Sequence, residues 1–270
     1  MNLKNIILCP SRAGQLKKGV ENFPYLIQKY IKPTFNIIDT NLKNNNKNNY
    51  VFSNSHKIYN ACNSVDKFIC IGGDHSITIG SGAASLNKYP NVKFIWIDAH
   101  ADINTFDSSL TKNYHGMSLS FLTGLDKNKH FSFIKNLLNF KNIYYIGLRD
   151  IDSFEWKIIN DHKIKYTLSE FINTNIIHET NKLSTFINKS PIHISFDVDS
   201  IDESFISSTG TIVRNGLDLK KTKFLLKSLL KNENVVGIDI VEMNMEINKN
   251  KYQTSIDNFL YLFSDIFKSK

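Results

Sequence analysis

The sequence has no apolar run near the roughly 18 residues that a membrane-spanning helix requires, and its first residues carry no signal-peptide pattern. No membrane partner is therefore expected, and the cytosol is the expected compartment. Cysteine is scarce. Cys9, Cys62 and Cys70 are odd in number and lack ligand-like spacing, which reads as buried thiols in a reducing compartment rather than a disulfide frame. No internal repeat is visible. The net charge of +8 would suit a nucleic-acid binder. What is missing is a stripe of Lys and Arg with interleaved aromatics. The lysines are scattered and often sit beside asparagines, as at 41–49, so no nucleic-acid partner is expected.

What the sequence does contain is a series of short apolar runs. The 270 residues, 41% hydrophobic and 21% charged, are enough for a substantial core, as one large α/β domain or two small ones. Strands are expected at 5–9, 35–39, 67–71, 93–97, 142–146, 163–166, 191–196 and 235–240. Helices are expected from Pro24 towards Ile31, around Ile58 to Val65, after Ser76, from near His115, at 172–187, at 219–230, and at the helical spacing of Ile256, Phe259, Leu260, Phe263 and Phe267. The polar tract at 41–49 reads as a surface loop, not a domain boundary, because a helical pattern resumes after it. Strands alternating with helices imply an α/β fold: one doubly wound parallel sheet with helices on both faces, a single domain over 1–270.

In such folds sites lie at the carboxyl ends of the strands, and the potential metal ligands fall there. The apolar run ending at Ile97 is followed by Asp98, His100 and Asp102; the run ending at Phe196 by Asp197 and Asp199; the run ending at Ile71 by Gly72-Gly73-Asp74-His75-Ser76. In an extended segment residues i, i+2 and i+4 share one face, so these groups could converge. The plain alternative is that each Asp caps a helix or forms a turn. Four aspartates and two histidines brought together would make a costly site without a cation, since clustered carboxylates repel one another. Carboxylate and imidazole ligation without thiolate suits Mn²⁺, with Zn²⁺, Co²⁺ and Fe²⁺ as alternatives, and six ligands fit two ions better than one.

The blocks Gly72-Gly73-Asp74-His75-Ser76, Asp98 to Asn104, Ser195 to Asp199 and Gly237 to Glu242 resemble the signature blocks of the arginase/agmatinase ureohydrolases. Ser11 to Gln15, His115-Gly116, Tyr145 to Asp152 and Thr209 to Thr211 extend the resemblance along nearly the whole chain, in order. It implies two Mn²⁺ per chain, one held by His75, Asp98, Asp102 and Asp197, the other by Asp98, His100, Asp197 and Asp199. A hydroxide between them would attack a guanidinium carbon, releasing urea and an amine. By the same resemblance Glu242 binds the guanidinium, Thr211 supports it, and His115 shuttles protons, so that Asp102, His115 and Glu242 serve catalysis. Asn104, Thr111, Asn113 and Asp152 would hold the α-carboxylate and α-ammonium of L-arginine, giving L-ornithine and urea. A homo-oligomer, trimer or hexamer, is implied by family likeness alone.

Some positions depart from the family pattern. Thr111-Lys112-Asn113 stands for a more usual Ser-Gly-Asn, and Lys112 is expected to place a cation beside the carboxylate clamp. Arg214-Asn215-Gly216 follows where a glycine pair is usual, and the helix from Leu219 lacks the Arg-Glu pair often used between subunits. Rival activities are those of an agmatinase, a formimidoylglutamase-like hydrolase, or a non-catalytic binding protein on the same scaffold.

Overall fold

Eight apolar segments become eight strands of one parallel sheet: β1 (Asn5–Cys9), β2 (Asn36–Asp39), β3 (Phe68–Gly72), β4 (Lys93–Ile97), β5 (Ile143–Leu148), β6 (Lys165–Leu168), β7 (Ile192–Asp197) and β8 (Val235–Val241). Their order across the sheet is β2-β1-β3-β8-β7-β4-β5-β6. The structure is a computed structural model that describes residues 3–42 and 48–268. Central strands such as β3, β7 and β8 are buried at every position, which is why they read as unbroken apolar runs. The edge strands β2 and β6 are mostly exposed.

Side chains alternate between the two faces. Ile95 and Ile97 of β4 join a core built with helices α1 (Phe23–Gln28), α6 (Ser169–Ile187), α7 (Leu219–Leu230) and α8 (Tyr252–Leu262). Phe94 and Trp96 face the other side, with α2 (Asn48–Asn63), α3 (Thr78–Lys88), α4 (Ser118–Thr123) and α5 (Ser153–Asp161) covering that face. Among the described residues no helix is long and apolar enough to cross a membrane.

The expected doubly wound sheet is present, with local differences. Helix α1 stops at Gln28, and Ile31 instead bridges Phe267 in an isolated antiparallel contact. Strand β6 lies two residues later than expected at each end. Helix α5 was not expected at all; it starts on a capping box between Asp152 and Glu155. Of the tract at 41–49, residues 43–47 lie outside the described residues, and Asn48 and Asn49 open α2.

The topology decides where the chemistry falls. Strands β3, β8, β7 and β4 are contiguous. Their carboxyl ends lead into His75, Glu242, Asp197-Asp199 and Asp98-Asp102 respectively, so four stretches distant in sequence open on one spot.

Candidate active site

Strand alternation does not bring the ligands together; turns do. Strand β4 ends at Ile97, and Asp98 Oδ1 accepts the backbone N–H of His100 at 2.8 Å. Strand β7 ends in the same way, Asp197 Oδ1 accepting the backbone N–H of Asp199 at 2.8 Å. Each aspartate folds the chain back through Oδ1 and turns Oδ2 towards His75. Asp102 completes the first turn with φ of 48°, a left-handed conformation uncommon for a residue with a Cβ. The turn-former reading of these aspartates is therefore observed in Oδ1, and it is compatible with the ligand reading, since Oδ2 faces His75.

His75 is the centre of the cluster. Its Nδ1 lies 2.8 Å from Asp102 Oδ2, 3.1 Å from Asp98 Oδ2 and 3.2 Å from Asp197 Oδ2. Although buried, that nitrogen has no hydrogen-bond partner among the described residues. The imidazole is fixed from behind: Nε2 lies 2.7 Å from Ser195 Oγ, and the ring stacks on Trp96 with centroids 4.3 Å apart. Trp96 Nε1 also donates to Asp98 Oδ2 at 3.1 Å. A nitrogen aimed at three carboxylate oxygens without hydrogen-bond geometry is the arrangement that a shared cation satisfies.

Two groups of ligand atoms lie close enough to hold an ion, His75-Asp98-Asp102 and Asp98-His100-Asp199, and Asp98 belongs to both. His100 Nδ1 is 3.1 Å from Asp199 Oδ2 and 3.4 Å from Asp98 Oδ1. All six expected ligands thus meet.

The electrostatics of the cluster call for positive charge. Burial and then repulsion from Asp199 and Asp98 hold the Asp197 carboxyl well above the usual range; burial, with Asp98 nearby, pushes Asp199 up to about 6. Burial lowers the affinity of both histidines for protons, but Asp102 at His75 and Asp199 at His100 outweigh it and raise both.

A cavity of about 460 Å³ opens above this floor. Glu242 and His115 form one wall. Glu242, in the left-handed region with φ of 67°, is oriented by three donors. Its Oε1 accepts the backbone N–H of His75 at 2.9 Å and lies 3.0 Å from His115 Nδ1, while its Oε2 accepts from Gln15 Nε2 at 2.7 Å. Burial would raise this carboxyl, but these partners, His115 first, hold it below the ordinary glutamate value.

Asn104, Thr111, Asn113, Asp152 and Thr211 line the mouth. Asn104 Nδ2 donates to Asp152 Oδ2 at 2.7 Å, while Asp152 Oδ1 caps α5 by accepting the Glu155 N–H at 2.9 Å. Lys112 does not flank the clamp. With φ of 57°, it turns its ammonium onto the carbonyls of Phe106 and Asp107 and does not line the cavity.

The cavity also includes Gln15, Lys17, Asp150 and Glu155, to which the sequence reading gave no role. Glu155 was detectable, since an aspartate followed three residues later by glutamate is a capping-box signal. It is buried, accepts the N–H of Ile103 at 3.2 Å, and is pushed up to about 8 by burial and then by Asp102 and Asp152. His193 of β7 is a satisfied core histidine: it is bonded to Asp239 and Ser85 and stacked on Phe94.

This arrangement has close relatives. The chain is 39% identical over 211 residues to an arginase of Saccharomyces cerevisiae, covering 70% of this chain and 62% of that protein. It is 44% identical over 183 residues to an arginase of Plasmodium berghei, covering 64% and 51%. The matched part therefore spans little more than half the length of these curated relatives. Among solved structures, an Entamoeba histolytica arginase in complex with L-ornithine superimposes with a TM-score of 0.88 at 27% identity, over 97% of this chain and 99% of the other. A Bacillus subtilis formimidoylglutamase shares the fold, with a TM-score of 0.78 at 18% identity over 98% and 87%. The sequence model of the Arginase family matches residues 18–258, and with that match over most of its length the chain belongs to the Arginase family.

Proposed function

We propose that this chain hydrolyses L-arginine to L-ornithine and urea, with His75, Asp98, Asp102 and Asp197 holding one Mn²⁺ and Asp98, His100, Asp197 and Asp199 a second. The observation that carries this reading is the pair of ligand groups sharing Asp98 in the same cavity as the oriented carboxylate of Glu242. The all-oxygen-and-imidazole donor set and the unpartnered His75 Nδ1 fit divalent cations. Such ions, when bound, supply Lewis-acid activation of water at neutral pH.

The chain's own residues supply the rest. Glu242, kept ionised by its donors, is a planar acceptor for the guanidinium. His115 Nδ1 is anchored on Glu242 Oε1, which leaves Nε2 as the atom to carry a proton to the departing amine. Asn104, Thr111, Asn113 and Asp152 take the α-carboxylate and α-ammonium at the mouth. His75, Asp98, Asp197 and Asp199 of the floor are buried, and the single sheet, covered on both faces, supports reading 1–270 as one catalytic domain.

The test is urea release from the Mn²⁺-loaded protein with L-arginine and agmatine side by side. Arginine should outperform agmatine by at least about two orders of magnitude in kcat/KM, because agmatine forfeits the charge-assisted contacts to the carboxylate. Equal or better turnover of agmatine would reject arginine as the substrate and leave the fold and ligand cluster standing.

A further inference from the structure

The segment Gly14-Gln15 is held hard against the guanidinium wall. Gly14 N–H donates to Asp74 Oδ2 at 2.8 Å, and the Gly14 carbonyl accepts the backbone N–H of His115 at 3.3 Å. A Cβ at position 14 would lie 2.6 Å from the Ser76 side chain, so only glycine allows this approach. Gln15 is then 2% exposed, and its Nε2 donates to Glu242 Oε2 at 2.7 Å.

That bond fixes the orientation of the amide. Only the NH₂ end can face a carboxylate, so Oε1 points the other way. It lies beside Gly210, where a built Cβ would be 3.6 Å from it, and no hydrogen bond among the described residues ends on it. Gln15 lines the cavity. Glu242, meanwhile, has little capacity to spare: Oε1 already has two neighbouring donors and Oε2 has one. A guanidinium brings five N–H donors, more than the remaining lone pairs of Glu242 can take.

We propose that Gln15 is a guanidinium-binding, specificity-determining residue: its Nε2 orients Glu242 while its Oε1 accepts a substrate N–H. This inference rests on the guanidino-hydrolase reading above and extends it. An amidine with fewer N–H groups, such as a formimidoyl compound, leaves that acceptor unpaired, so Gln15 favours guanidino substrates over it.

The test is Gln15→Met, of similar length but without the amide, in the Mn²⁺-loaded protein. Its kcat/KM should fall by about 10- to 100-fold, by the same factor for arginine and for agmatine. The competitive Ki of L-norvaline, which has arginine's α-amino acid end and no guanidinium, should not change, and neither should metal content. Unchanged kcat/KM, a parallel change in the norvaline Ki, or loss of metal would each overturn the proposal. Gln15→Leu guards against a folding defect peculiar to the methionine: it should keep metal and melting temperature but show the same loss on both guanidino substrates. If both variants fail to fold, position 15 is structural and the proposal falls. Absence of urea release by the wild type from any guanidino compound would instead sink the reading on which it rests.

Discussion

The floor of the cavity and its mouth are built by different means. On the floor, Asp98, Asp197 and Asp199 are buried, and turns directly after β4 and β7 fix their positions. At the mouth, Thr111 and Asp152 are exposed, and the 104–113 loop is held by side chains bonding to one another and to nearby backbone, as in Asn104 to Asp152 and Ser108 to Asn104. The floor is thus part of the sheet, while the mouth only hangs from it. Floor substitutions should remove the chemistry, and mouth substitutions should change only which substrate is preferred.

Asp98→Ala is the strongest way to probe that division. Asp98 belongs to both ligand groups, so the variant should lose at least about a thousandfold in urea release, the scale of the several kcal/mol that metal ions contribute. His75→Ala should weaken mainly one ion. If Asp98→Ala kept near-wild-type turnover, the division would fail.

His115 sits on the wall between the two regions. His115→Ala should keep its metals and lose about 10²- to 10⁴-fold in kcat, with partial rescue by added imidazole. Metal loss measured in this variant would place His115 on the floor instead.

Asn113→Ala tests the mouth. It should narrow the arginine-over-agmatine gap by about tenfold through arginine's KM, with turnover of agmatine unchanged. A fall in kcat on both substrates would mean that the mouth also supports the chemistry.

The smallest effect concerns Glu155, which joins the regions by accepting N–H groups from Ile103 and Asp152. Its folded pKa, about 8, lies above the unfolded value near 4.5. Between those values the unfolded chain ionises first, so stability should fall as pH rises through that window and level off above it. In the metal-free protein, Glu155→Gln should flatten the decline in melting temperature from pH 5 to 8 relative to wild type. Parallel profiles for the two proteins would contradict the raised value.

The same contrast explains what was legible in the sequence. Buried central strands announce themselves as apolar runs, and the floor's aspartates and histidines follow them immediately, so their convergence could be read from the sequence. Even there the mechanism differed, since turns rather than extended alternation bring His100 to Asp98. The edge strand β6 was displaced because its exposed residues blur the apolar signal. Lys112 was expected beside the clamp, but its left-handed backbone turns it onto nearby carbonyls, and spacing alone does not encode that. Gln15 and Glu242 are 227 residues apart, and their contact exists only once β1 and β8 have been brought to either side of β3.

The central claim is that the six floor residues form two cation sites sharing Asp98, and metal content after equilibrium dialysis against Mn²⁺ tests it most directly. The account predicts close to two equivalents per wild-type chain, with a rise in melting temperature because the ions bind only the folded state. One equivalent or none at saturating Mn²⁺ would contradict it.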